Sequence, residues 1–187
     1  VQLSEFNTNR KLGVIALKLD DDDELIGVKQ TDGQKQIVIG TRNGYAIIFD
    51  EEEVRSMGRI ARGVKGIKLR DGDEVVGMDT IKRDSEILTV TAGGYGKRTK
   101  VDEYTTHHRG AMGVINLRVT EKTGEVIGLK VVRDGQELML ISTNGIIIRT
   151  GLDKISVIGR ASQGVIIMKT AEDDKVASMA ILTQRAE

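Results

Sequence analysis

The apolar residues of this chain fall in short runs separated by Gly, Asp and Asn rather than in long amphipathic stretches. The clearest set lies mid-chain, at Glu74–Ile81, Ser85–Thr91, Tyr95–Val101 and Val114–Val119. These runs are rich in Val, Ile, Leu and Met, and none keeps the i, i+3, i+4, i+7 stripe of a surface helix. The pattern predicts four short strands and an all-β fold, with the polar stretch Asp102–Met112 as a long surface loop.

A glycine turn joins the second and third of these predicted strands. Gly93-Gly94 stands between them, and such a turn suits a β-hairpin because glycine takes positive φ without a steric cost. Equivalent turns occur at Asn43-Gly44 and Asn144-Gly145. The sequence therefore predicts three hairpins of one kind, spaced evenly along the chain.

The even spacing extends to other glycines and defines a repeat. A Gly-Val pair begins at residues 13, 63, 113 and 164, in steps of 50, 50 and 51. The turn glycines and the strand glycines at 27, 77 and 128 keep the same steps. Four strands per period of about 50 residues predict a propeller-like disc of four-stranded blades. We expect one repeat domain over 1–187, with units at 20–69, 70–119 and 120–170 and partial blades at 1–19 and 171–187.

Charge and composition narrow the function without fixing it. The 28 basic and 28 acidic residues cancel, which excludes a surface that is basic throughout but allows a local belt of cations. The absence of cysteine excludes disulfides and thiolate metal sites and agrees with a cytosolic setting. No apolar run approaches 18 residues, so no membrane span is expected. No signal peptide is visible at the start of the sequence. The chain begins without Met, which suggests a fragment or a processed product.

Candidate catalytic and metal-binding residues are few. His107 and His108 are adjacent, so their side chains are expected to face different ways. The stretch Gly93–Lys97 resembles a phosphate-binding loop only superficially, because it lies between strands and lacks a following helix. Acidic runs such as Asp20–Glu24 stand at unit junctions and lack the spacing of a calcium loop. We expect no catalytic residue, no metal site and no cofactor in this chain.

Cations recur at fixed positions when the units are superimposed. One set stands four residues before a Gly-Val pair: Arg59, Arg109 and Arg160. Arg10 takes the same position if the first unit is one residue shorter there. A second set stands five residues after each Gly: Lys18, Lys68, Arg118 and Lys169. A third position, in the third strand of a unit, holds Arg98 and Arg149.

In a radial arrangement, a residue at a fixed repeat position traces a circle around the disc. Recurring Arg and Lys would then form a belt able to hold the phosphates of a duplex, fixing its path while reading little sequence. Ordinary solvated surface explains any single cation equally well. The Lys18 set is the weakest, since strand alternation places a polar residue on the solvent face in any case.

Several longer motifs resemble one family. They are Gly94–Thr99, Glu103-Tyr104, Arg109–Val114, Ile155–Arg160, Gln163–Val165 and Thr170–Asp173. Together they resemble the C-terminal domain of the A subunit of bacterial DNA gyrase, over essentially the whole chain. The corresponding domain of topoisomerase IV is a close relative with more degenerate repeats, so the regular units here favour gyrase.

The resemblance implies a β-pinwheel, a disc of about six blades that exchange strands with their neighbours. Domains of this family bind and bend double-stranded DNA around a basic rim, which directs negative supercoiling by a cytoplasmic heterotetramer of A and B subunits. ATP and Mg²⁺ serve the holoenzyme, not this domain, and we expect the isolated fragment to be monomeric. The residues that match the basic perimeter are Arg10, Arg59, Arg62, Lys65, Lys97, Arg98, Arg109, Arg149 and Arg160.

One departure from the family pattern bears on function. Gyrases carry a short Gln-Arg-Arg-Gly-Gly-Lys-Gly-like box in the first blade, and the nearest stretch here, Arg59–Gly66, is a repeat feature. We therefore expect a C-terminal portion of a six-bladed domain that wraps DNA weakly by itself. The alternatives are a topoisomerase IV domain for substrate selection, a protein-interaction propeller with apolar patches, and an enzyme with acids or histidines near the disc centre.

Overall fold

The computed structural model describes residues 1–183, so residues 184–187 of the last predicted partial blade lie outside it. This part of the chain contains eleven β-strands and short 3-10 helices but no α-helix, which confirms the all-β prediction. The strands are β1 (Gln36–Thr41), β2 (Tyr45–Asp50), β3 (Val75–Thr80), β4 (Glu86–Thr91), β5 (Tyr95–Lys100), β6 (Val114–Ile115), β7 (Val126–Val132), β8 (Glu137–Ser142), β9 (Ile147–Gly151), β10 (Val165–Ile166) and β11 (Val176–Leu182). The 3-10 helices are Leu3–Phe6, Glu51–Glu53, Val101–Glu103 and Leu152–Lys154.

The strands form three sheets, in the orders β3-β1-β2-β6, β7-β4-β5-β10 and β11-β8-β9. Each sheet is built on one predicted hairpin, β1-β2, β4-β5 or β8-β9, and all neighbouring strands are antiparallel. The following repeat adds a long strand to one side of the hairpin. In the first two sheets a two-residue strand also pairs with the other side. Neighbouring blades are therefore interlocked, because each sheet takes strands from two predicted units.

Two predicted strands are shorter or absent. The fourth strand of the middle unit, expected at Val114–Val119, is limited to Val114–Ile115 because the backbone amides of Asn116 and Leu117 both donate to the carbonyl of Gly44 instead. The apolar run around Gly27 forms no strand. Its equivalents β3 and β7 each pair with a hairpin one repeat earlier. The described residues that precede the run around Gly27 contain no such hairpin.

The loop expected at Asp102–Met112 is more ordered than its polarity suggested. It starts within the 3-10 helix Val101–Glu103 and then makes a parallel bridge from Thr106 to Ile48 on β2. The backbone amide of His107 also donates to the carbonyl of Ile48. This link therefore follows the outer side of the preceding hairpin before it reaches β6.

The inner strands β3, β7 and β11 lie side by side, and glycine permits their close approach. A Cβ at Gly77 would lie 3.0 Å from the carbonyl oxygen of Leu129, and one at Gly128 would lie 2.7 Å from Sδ of Met179. Leu129 is fully buried in the core between the first two sheets, and Leu88 and Leu138 are fully buried in the next. The short strands β6 and β10 consequently form the outer edge of the described arc.

Candidate nucleic-acid interface

Three recurring arginines, Arg59, Arg109 and Arg160, lie between successive repeats, and we call them the seam arginines. Arg109 is half-buried, and its Nε donates to the carbonyl of Glu53 at 2.9 Å. Its Nη1 donates to the carbonyl of Lys65 at 3.3 Å, while its backbone amide donates to the Glu53 carboxylate at 3.0 Å. One arginine thereby ties its own segment to two segments of the preceding repeat.

The same contacts recur one repeat later. Arg160 donates from Nε to the carbonyl of Glu103 at 3.2 Å and from Nη1 to the carbonyl of Ile115 at 2.5 Å. Its backbone amide donates to the Glu103 carboxylate at 2.9 Å. Arg59 follows the pattern through Nη1 to the carbonyl of Ile15 at 2.9 Å. The recurrence of the seam arginines is thus explained by inter-repeat hydrogen bonding, with only part of each side chain left exposed.

Lys97 and Arg98 are interior residues, which corrects their placement on the basic perimeter. Lys97 has no exposed surface, and its Nζ donates to the carbonyls of Gly159, at 2.7 Å, and Arg160. Arg98 is 7% exposed. Its Nε donates to the carbonyl of Ile155 at 3.0 Å, and its Nη1 pairs with carboxylates of the same sheet and a neighbouring loop. Both lie on a central strand, so their charge serves the blade contact.

Protonation of Lys97 gives this contact a pH dependence. Burial lowers the pKa of Lys97 from 10.5 to about 8, with Glu103 raising it and Arg160 lowering it. The folded protein therefore releases this proton at a lower pH than the unfolded chain does. Between pH 8 and 10.5 the unfolded state holds more protons, so the stability contributed by this group rises with pH across that window.

We expect Lys97→Ile to remove this rise. Isoleucine occupies the equivalent positions 47 and 148, so the strand accepts it. Denaturant titration measures the free energy of unfolding of both proteins at each pH. Between pH 8 and 10.5 this free energy should rise in the wild type by on the order of 2 kcal/mol more than in the variant. Parallel pH profiles for the two proteins would contradict this account of Lys97.

The other predicted perimeter residues lie on the surface. Arg10, Arg62, Lys65 and Arg149 are all exposed. Arg62 pairs with Asp20 at 3.2 Å, and Arg149 pairs with Glu137, whose hydrogen bond and charge raise the pKa of the arginine. These two cations are partly neutralised by acids of the same chain.

The second recurring set, Lys18, Lys68, Arg118 and Lys169, is placed best for an external ligand, and we call these residues the rim cations. All four are exposed, and their side chains form no ion pair or hydrogen bond within residues 1–183. The backbone amides of Lys68 and Arg118 donate to the carbonyls of Ala111 at 2.9 Å and Ser162 at 3.0 Å. Sequence reasoning ranked this set lowest, although its exact recurrence after every Gly-Val pair was the available signal.

Other chemistry is sparse in the part of the chain that the structure describes. No group of three or more His, Cys, Asp or Glu side chains is arranged there to hold a metal ion. His108 is almost fully exposed and faces the Glu53 carboxylate at 3.3 Å. Across residues 1–183, no helix has both the length and the apolar character needed to cross a membrane.

Sequence comparison identifies the family. The family described as DNA gyrase C-terminal domain, beta-propeller, matches residues 1–32, 35–82, 85–133 and 136–183. The chain belongs to this family. The last three matched segments each begin at a hairpin and end after the long strand that completes its sheet, whereas the units predicted from sequence begin one strand earlier.

Individual relatives agree with this assignment. The A subunit of DNA gyrase from Halalkalibacterium halodurans is 58% identical over 96% of this chain and 22% of its own length. Among solved structures, the C-terminal domain of DNA topoisomerase IV superimposes with a TM-score of 0.90 at 29% identity, covering 96% of this chain and 56% of that one. The DNA gyrase A C-terminal domain gives 0.83 at 29% identity, covering 91% and 58%. The chain spans about a fifth of the length of the gyrase subunits that it matches.

Proposed function

We propose that this gyrase-family domain binds double-stranded DNA along its outer edge without reading base sequence. The observation that carries the proposal is the rim cations, which recur in every repeat and form no ion pair with an acid within residues 1–183. Evenly repeated cations match the evenly repeated phosphates of a duplex, and Lys or Arg contacts to phosphate release condensed counterions. Because the net charge of the chain is zero, attraction to DNA depends on local groups of cations such as these.

The larger role follows from family membership and is also a proposal. As part of the gyrase A subunit, working with the B subunit in the bacterial cytoplasm, the domain would bend DNA and direct strand passage toward negative supercoiling. The catalytic steps, with ATP and Mg²⁺, would belong to the holoenzyme. Binding itself needs no enzymatic group from this chain. We expect the isolated chain to be monomeric.

A topoisomerase IV domain that selects substrates is the second candidate. It is favoured by the TM-score of 0.90 to the C-terminal domain of topoisomerase IV. The relatives with 42–58% sequence identity are instead A subunits of gyrase, which favours the first candidate.

DNA binding at different salt concentrations tests the proposal. Fluorescence anisotropy with labelled duplexes of two unrelated sequences, from about 50 to 200 mM salt, should give equal affinities and a steep fall of log K with log salt. A marked preference for one sequence, or affinity independent of salt, would contradict it. Sealing a nicked circle in the presence of the chain then measures wrapping, for which we expect a small positive shift of linking number.

A further inference from the structure

The outer edge strands carry exposed isoleucines at one fixed repeat position. Ile115 in β6 and Ile166 in β10 are 40% and 51% exposed, and Ile15, their equivalent in the first repeat, is 70% exposed. We call these three the rim isoleucines; Lys65 takes the position in the remaining repeat. Strands of two residues offer a further strand little backbone to pair with, so these exposed aliphatic side chains are open to another kind of partner.

The structure holds these residues in place. Ile115 and Ile166 pair with Tyr45 and Tyr95 of the neighbouring hairpins. A seam arginine of the next repeat donates to the carbonyl of Ile115, and another does so for Ile15. A β-branched side chain on a fixed backbone has few rotamers left to lose. Little conformational entropy would therefore be lost when a ligand covers it.

Each rim isoleucine is accompanied by a rim cation three residues later. Arg118 follows Ile115, Lys169 follows Ile166, and Lys18 follows Ile15. Between the first pair, residues 116 and 117 are buried, so the aliphatic group and the cation are both on the exposed side. The rim thus repeats a small unit with one apolar contact and one positive charge.

Duplex DNA presents matching chemistry at close range. Its phosphates pair with cations, and proteins that bend DNA place apolar side chains in its minor groove. A duplex bent around a protein turns its minor groove inward once per helical turn of about 10 base pairs. A repeating apolar and cationic unit on a curved rim can therefore contact a bent duplex at more than one place.

We propose that the rim isoleucines are a second class of DNA contact, packing against the sugar edge of the minor groove beside the phosphates held by the rim cations. This inference rests on the proposed function and goes beyond it, because it assigns apolar residues to binding. The contact supplies affinity that salt does not screen.

The double variant Ile115→Thr, Ile166→Thr tests this assignment. Threonine keeps the branched shape and strand propensity but removes much of the apolar surface. We expect the dissociation constant for duplex DNA to rise roughly tenfold, with the slope of log K against log salt unchanged. The matched control is Val157→Thr, which changes another exposed aliphatic residue to the Thr that the preceding repeat holds at position 106.

The outcomes separate this inference from the proposed function. Wild-type affinity and slope in the double variant, with circular dichroism showing both proteins folded, would overturn the role of the rim isoleucines and leave cation-mediated binding intact. A reduced slope would also overturn it, since the loss would then lie in phosphate contacts. Failure of the wild type to bind DNA in a salt-dependent manner would overturn the proposed function itself.

Discussion

Replacement of all four rim cations by alanine should weaken duplex binding roughly a hundredfold or more at about 100 mM salt. The variant is Lys18→Ala, Lys68→Ala, Arg118→Ala, Lys169→Ala. Each phosphate contact contributes about one unit to the slope of log K against log salt, so the slope should become shallower by about three to four. Because these side chains are exposed and form no ion pair within residues 1–183, the fold should survive the change. Anisotropy titrations at several salt concentrations measure both quantities.

A charge-matched control distinguishes position from net charge. Lys82, Arg83, Lys100 and Arg133 are also exposed, but they lie at the ends of β3, β5 and β7 or in the links that follow, away from the rim strands. Changing these four to alanine shifts the net charge by the same amount. Equal losses of affinity in the two quadruple variants would show that only overall charge matters and would contradict the rim as the binding surface.

The seam arginines provide a second contrast. Their changes to alanine remove hydrogen bonds from the guanidinium groups to backbone carbonyls across the repeat boundary, and a hydrogen bond to a charged group contributes about 1.5–3 kcal/mol. We therefore expect the triple variant Arg59→Ala, Arg109→Ala, Arg160→Ala to have a lower free energy of unfolding. The slope of its DNA affinity against salt should change less than in the rim-cation variant. A recurring arginine can serve either a ligand or the fold, and the bonds that it makes decide between them.

The sequence predicted the repeat and the hairpins because both depend on local rules. Glycine at a turn, such as Gly94, permits a positive φ, and the alternation of apolar runs and turns repeats with the period of the blade. Strand exchange is not local in this sense. Nothing in the composition of Val114–Ile115 says that it pairs with β2, a strand of the unit before the one to which its sequence belongs.

The charged positions were harder to predict for a different reason. Lys97 and Arg98 carry charge, which predicts exposure, yet the first unit holds Ile47 and Ile48 at the same places. That substitution was the signal that these positions face the interior. A buried cation is tolerated there because backbone carbonyls and carboxylates satisfy its donors, and the carbonyl partners of Lys97 are more than 50 residues away along the chain.

The second large effect is expected at the hairpin turn, where Gly94→Ala should destabilise the fold by about 3–5 kcal/mol. Gly94 has φ +77°, a conformation that costs a residue with a side chain about 1–2 kcal/mol. A Cβ there would also fall well inside van der Waals contact with the carbonyl oxygen of Met168. The carbonyl of Gly94 accepts the backbone amides of Ile167 and Met168, so the turn is where the next repeat docks.

Gly145→Ala separates the two contributions. Gly145 has φ +82° at the equivalent turn, and no heavy atom of the described residues, apart from Gly145 and its two chain neighbours, lies within 4 Å of a Cβ placed there. This control should lose only the conformational part, about 1–2 kcal/mol. Chemical denaturation followed by circular dichroism measures the difference, which is the steric part. Equal losses in the two variants would mean that the following repeat accommodates the methyl group. A larger loss for Gly94→Ala would show that docking of the following repeat on this turn contributes to stability. The two hydrogen bonds that the Gly94 carbonyl accepts from Ile167 and Met168 lead us to expect this result.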